Sequence, residues 1–148
     1  MSSDRSESTQ YVAVIARRLR AYGGAGSAYA LTSGRIYDGQ APQDTEMADI
    51  VPFIVVNDIG GPIDRMFDGG TIESARLQIT VVDAYDGNRR RCGQVWDAIV
   101  AVLEGATLTM EDGTFIRVDR ISRPTTEIDG DYVTMAGEWA LDVQFDRY

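Results

Sequence analysis

The sequence predicts an α+β fold: a mostly antiparallel sheet with a long amphipathic helix packed on one face, plus an N-terminal helix. Three observations predict it. Ile72 to Asp83 alternates between apolar and polar residues, Cys92 to Leu103 repeats apolar residues at helical spacing, and Tyr132 to Phe145 alternates over its whole length. At 148 residues the chain is large enough to bury a core without disulfides or a metal. Its organisation is read as a flexible N-terminal arm over 1–8 and a single α+β domain over 9–148.

The first helix is expected from Tyr11 or Val12, Ile15, Leu19 and Tyr22, with Ser8 or Thr9 as its cap and Gly23-Gly24 as its stop. Arg17, Arg18 and Arg20 fall on its wet side. Gly23 to Ser27 reads as a flexible connector; no strand precedes it and no Gly-Lys-Ser/Thr follows, so it is no phosphate cradle. Tyr29 to Leu31 and Arg35 to Tyr37 suit brief extended pieces, and Asp38 to Ile50 is polar, acidic and irregular.

Val51 to Asn57 is nearly continuous β-branched and aromatic sequence, as in a strand covered on both faces, with Pro52 near its start. A glycine- and acid-rich loop is expected from Asp58 to Gly70, too long for a tight turn. Ile63, Met66 and Phe67 are odd in a solvated loop, so it packs either on a partner or on the protein's own core. In the next strand Glu73, Ala75, Leu77, Ile79 and Val81 share one face, and Ser74, Arg76, Gln78 and Thr80 the other.

Asp86 or Asn88 then caps a helix whose stripe is Cys92, Val95, Trp96, Ile99, Val102 and Leu103, ended by Gly105. Glu111-Asp112-Gly113 joins Leu108–Met110 to Thr114–Val118 as a hairpin. Asp129-Gly130 makes the turn that brings Arg117 to Arg123 alongside the last strand, where Val133, Met135, Gly137, Trp139, Leu141, Val143 and Phe145 face the core.

The inventory points away from an enzyme. With no histidine, no lysine and one cysteine, the commonest general base, the Schiff-base amine and any Cys/His metal cluster are missing. Asp and Glu total 23, and they read as a solvated surface. Asp83 to Asn88 lacks the terminal Glu of a calcium loop and is explained by helix capping. Cys92, Trp96 and Trp139 fall on apolar faces and read as core; Arg89 to Arg91 reads as the solvated first turn of a helix. A net charge of −9 opposes general adhesion to nucleic acid. No apolar run is long enough to span a bilayer, the polar N-terminus is unlike a secretory signal and the one cysteine can form no internal bridge, so a reducing cytoplasm is expected.

The order of segments carries one further signal. Gly34-Arg35-Ile36-Tyr37-Asp38, Ala41-Pro42 and Val51-Pro52-Phe53-Ile54-Val55-Val56 come first. The strand with Leu77, Ile79 and Val81, a helix ending Val102-Leu103-Glu104-Gly105 and a closing β-meander follow. From Gln10 to Phe145 this resembles the tail-completion, or tail-terminator, proteins of long-tailed phages and phage-like gene transfer particles. The segment between Asp38 and Val51 is longer than that pattern.

The resemblance implies a structural virion protein of the tail or neck region. It would form a homo-oligomeric, usually hexameric ring that caps the tail tube, ends polymerisation and joins the tail to the head. Its implied partners are the major tail tube protein and a head-completion, stopper or neck protein, with genomic DNA passing through the channel; no cofactor, metal or membrane is implied. Head-closure or neck connector proteins are the nearest alternative. A small-ligand domain with Arg76, Gln78 or Arg117 converging between sheet and helix is the more distant one. Contact residues are expected in the loop and the acidic segment: Asp58, Ile63, Asp64, Arg65, Met66, Phe67 and Asp68, with Asp44 and Glu46.

Overall fold

A computed structural model describes the backbone of residues 7–60, 63–65, 71–109 and 115–144, and the side chains of 11–60, 75–109 and 115–142. The elements run α1 (Glu7–Ala21), α2 (Ala28–Leu31), β1 (Ile36–Asp38), a 3-10 turn (Met47–Asp49), β2 (Phe53–Gly60), β3 (Ile63–Arg65) and β4 (Thr71–Ala84). They continue with α3 (Arg90–Leu103), β5 (Thr107–Thr109), β6 (Phe115–Arg120), β7 (Thr125–Asp129) and β8 (Tyr132–Gln144). The class is α+β, as the alternation and helical periodicity predicted.

One mixed sheet holds the order β1-β2-β4-β8-β6-β5, with β3 added to β4 and β7 to β8. Only β1 against β2 is parallel among the described pairs. The two longest strands form its spine. β4 and β8 run antiparallel from Ser74 opposite Asp142 to Ala84 opposite Tyr132. Strict alternation puts Ala75, Leu77, Ile79 and Val81 on the same side as Val133, Trp139 and Leu141, all buried.

Both long helices cover that side. Val12, Ile15 and Leu19 of α1 and Cys92, Val95, Trp96, Ile99 and Leu103 of α3 join the strand residues in one core. β2 is buried on both faces, as its continuous apolar run predicted: Ile54 and Val56 enter the main core, whereas Phe53 and Val55 form a smaller cluster with Ile50 on the other face. The Phe53 ring meets Tyr37 edge-on at 5.7 Å, and the irregular acidic segment is anchored there.

Several local expectations change. α1 already includes Glu7 and Ser8, which the expected arm over 1–8 had held, while 1–6 lie outside the described residues; Ser8 and Thr9 lie inside the helix instead of capping it. Tyr22 lies beyond the helix and is exposed, its ring stacked under the Arg18 guanidinium. Tyr29 to Leu31 is a helical turn and not an extended piece, because the Ser27 hydroxyl accepts from the Ala30 N–H and nucleates it.

At the start of α3, Asn88 accepts from the Arg90 N–H, so of the two expected caps it is Asn88 that bonds the first turn. Gly105, with φ +74°, ends the helix as expected. The Glu111-Asp112-Gly113 turn lies outside the described residues, but β5 and β6 pair antiparallel on either side of it.

Trp96 on α3 and Trp139 on β8 pack with ring centroids 6.1 Å apart, and Gly137 makes room for them. A Cβ on Gly137 would lie 2.7 Å from Trp96 Cη2 and 3.0 Å from Cζ2. The glycine is therefore a packing requirement. Gly137→Ala should destabilise the fold by about 1–3 kcal/mol in a denaturant titration, and Trp96→Phe in the same chain should recover part of that loss.

Candidate assembly surface

The described residues of the long loop expected from Asp58 to Gly70 are strand. β2 continues to Gly60, and after two residues β3 extends along the same edge of β4, with Ile63 opposite Glu73 and Arg65 opposite Thr71. β2 and β3 thus form one interrupted strand of a hairpin arm. The sequence hides this because the bulge between Asp58 and Gly60 breaks the alternation, and Gly60 takes φ +92° there. The Asp58 carboxylate accepts from the Gly60 N–H at 2.7 Å, which holds the bulge.

Of the residues expected to make contacts, Asp58 is half-buried on this arm, and Ile63, Asp64 and Arg65 are in β3. Met66, Phe67 and Asp68 lie outside the described residues. Asp44 and Glu46 are exposed in the irregular segment after β1. That segment leaves the sheet at Gly39, whose N–H donates to the Val56 carbonyl two residues before Asp58. The acidic segment and the arm therefore start from one flank of the sheet.

The edges of the sheet differ in how they are finished. On the outer side of β1, the Ile36 N–H donates to Gly34 and the Ile36 carbonyl accepts from Arg20 Nη2 at 3.0 Å. This edge is sealed at Ile36. β1 stops at Asp38, opposite Val56, leaving the outer edge of β2 uncovered from Asn57 onward, where Ile59 is 47% exposed. Across the sheet, β7 is a second edge strand, paired on one side with β8, and its Ile128 is 48% exposed. β7 itself has no counterpart among the strands read from the sequence.

Arg76, Gln78 and Arg117 alternate onto the face opposite the helices, and Arg117 pairs with Asp119 at 3.3 Å. They do not converge between sheet and helix. That space is filled by the tryptophan pair, Ile99 and Leu103. Among the described residues no group of acids and cysteine is placed to hold a metal, and no helix is long and apolar enough to cross a membrane.

A protein-family model described as "Tail completion protein gp17" matches residues 15–137, from the middle of α1 into the middle of β8. The chain belongs to this tail completion protein family. Membership gives it a structural role in a phage tail. Its fold is also similar to a chain in a solved structure named "Virion of native gene transfer agent (GTA) particle". There the TM-score is 0.69 and identity 18%, over 90% of this chain and 94% of that one. A second solved chain is similar at TM-score 0.67 and 16% identity, covering 94% of this chain and 96% of its own. No curated protein matches.

In this tail completion protein several polar residues act as structural pins that the sequence reading placed in solvent. Arg18 and Arg20, expected on the wet side of α1, donate to the carbonyls of Val102 and Ile36. Arg35 donates to Ile50 and Val51, tethering the acidic segment to the start of β2. Arg91, expected as part of a solvated turn, holds Asp83 through Nε at 2.8 Å and Nη2 at 2.5 Å. Asp83 is 2% exposed and Arg91 53%, so only the acid depends on the pair for its solvation. The guanidinium in turn has its pKa raised by the hydrogen bond to Asp83. A signal was available: Asp83 continues the buried alternation of β4 and needs a cation from the helix that follows.

Two outcomes follow. Arg91→Ala, which strands a buried carboxylate, should cost about 3 kcal/mol or more in an unfolding titration. Asp83→Asn, which keeps a neutral acceptor for an exposed guanidinium, should cost clearly less. Burial, with the nearby Asp83 charge, pushes the Cys92 thiol up to about 11. The native thiol should resist a disulfide reagent near neutral pH and react only on unfolding. Its contribution to stability is complete below the ordinary thiol range, where both states are protonated, and fades as pH rises from there towards 11.

Proposed function

We propose that this protein ends tail growth: copies assemble into a ring, usually of six, that caps the finished tube and presents its other face to the neck. The observation that carries this reading is the family match, which runs through every element of the sheet. An uncovered strand edge on each flank supports it, because a ring needs two different patches on every copy. Residues 9–148 act as its single domain, which α1 extends back to Glu7. Capping works by occupancy: a docked ring covers the surface that the next tube subunit would use.

The ring sits in the virion, between the tail tube protein and a head-completion or stopper protein, after assembly in the bacterial cytoplasm. Six copies at −9 each carry about −54 formal charges, and acid along the channel lets DNA pass without cation pairing to its phosphates. Asp44, Glu46 and the arm from Asp58 to Asp68 supply contact or lumen elements. The role requires no catalysis.

Electron microscopy of particles assembled without the gene tests the proposal. Overlong or heterogeneous tails lacking heads are expected; normal tails joined to heads would contradict it. Normal tails lying free beside leaky heads would assign the protein to head closure. Deleting Ile63 to Asp68 should leave the monomer folded by circular dichroism yet weaken capping of isolated tubes, and unimpaired capping would remove the arm from the mechanism.

A further inference from the structure

We infer that neighbouring copies join by strand pairing between two specific edges: β7 of one copy at Thr126 and Ile128, and β2 of the next at Asp58. This rests on the ring reading and names its interface. The inference comes from where main-chain groups point. The β7–β8 hairpin closes on Asp129 opposite Tyr132 through a two-residue turn, with Gly130 at φ +60° in its first position. A closing pair of that kind is hydrogen-bonded, so Asp129, Glu127 and Thr125 bond to β8. Thr126 and Ile128 therefore aim their N–H and C=O groups outward, and among the described residues neither has another partner.

The other flank follows the same arithmetic. Ile54 and Val56 bond outward, to Arg35 and Gly39, so Asp58 is the next β2 residue whose main chain faces out. Nothing in β1 reaches it. The remaining edges are poor competitors: β1 is sealed at Ile36 by Gly34 and Arg20, and β5 is three residues long. Unpaired β edges invite another strand; neither of these two carries an internal proline or a covering helix, while the bulge after Asp58 limits the β2 edge to a short pairing.

Three relations make a second copy the occupant. The two edges lie on opposite flanks of one sheet, so pairing them joins unlike patches, as a closed ring requires. Side-to-side translation sets β7 antiparallel to the neighbouring β2, since β7 opposes β8, β8 opposes β4 and β4 opposes β2. Finally, Thr126, Ile128 and Asp58 all project on the helix side, as one continuous sheet demands. Glu127 and Asp129 on one edge and Asp58 on the other bring like charges together. Salt should therefore strengthen the association.

The test uses the full chain carrying Thr126→Cys or Asp58→Cys with buried Cys92 retained, a short bis-maleimide, and rising salt with mass measured in parallel. Mixing the two variants should give a cross-linked dimer that neither gives alone, and a chain carrying both should give a ladder. Thr126→Pro, which removes only an outward N–H, should melt like the parent while self-association weakens about tenfold or more. Cross-linking of either variant with itself would overturn the pairing. Assembly that proceeds without these cross-links and ignores Thr126→Pro would overturn the interface while leaving the ring intact. A chain monomeric at every concentration and salt would contradict both.

Discussion

The structure depends on β8 being paired along both sides at once. On one side it meets β4 over nearly its whole length; on the other it meets β7 and then β6. Where those two strands part, the Ser122 hydroxyl accepts from the Glu138 N–H and the Glu138 carbonyl accepts from Ile121, so the backbone of β8 stays satisfied across the gap. Opposite the same gap lies Gly137, under Trp96. The seam that joins the two halves of the sheet is thus also where α3 is seated, and a one-residue slip would turn Trp139 and Leu141 away from the core.

With the centre fixed this way, the differences between edges acquire meaning. Arg20 and Gly34 close the outer side of β1, and Arg35 ties down the segment beyond it. Among the described residues the end of β2, continued by β3, is open on one flank, and β7 and the short β5 are edges on the other. The net charge of −9 acts against the proposed pairing of copies, through repulsion that salt screens.

The features legible in the sequence were those with long periods of one kind. β4, β8 and α3 announce themselves because alternation or helical spacing persists over a dozen residues, and the buried run of β2 because no polar residue interrupts it. β7 was missed because Thr-Thr-Glu-Ile-Asp is half exposed at an edge and shows no apolar face. β3 was taken for loop because the bulge at Asp58 and Gly60 and the Gly-Pro pair after it break the pattern. The pins made by Arg18, Arg20 and Arg35 were invisible for another reason: each reaches a backbone carbonyl, and carbonyls leave no mark in a sequence. Of the two edges proposed to pair, the sequence reading named Asp58 on β2 and nothing on β7.

The measurement that bears most directly on the account is cryo-electron microscopy of tails assembled with this protein, at a resolution that follows strands. The account predicts a closed ring at one end of the tube, with the sheet of each copy continued by its neighbour. Density for the protein along the tube wall, at the opposite end, or absent from the particle would contradict it.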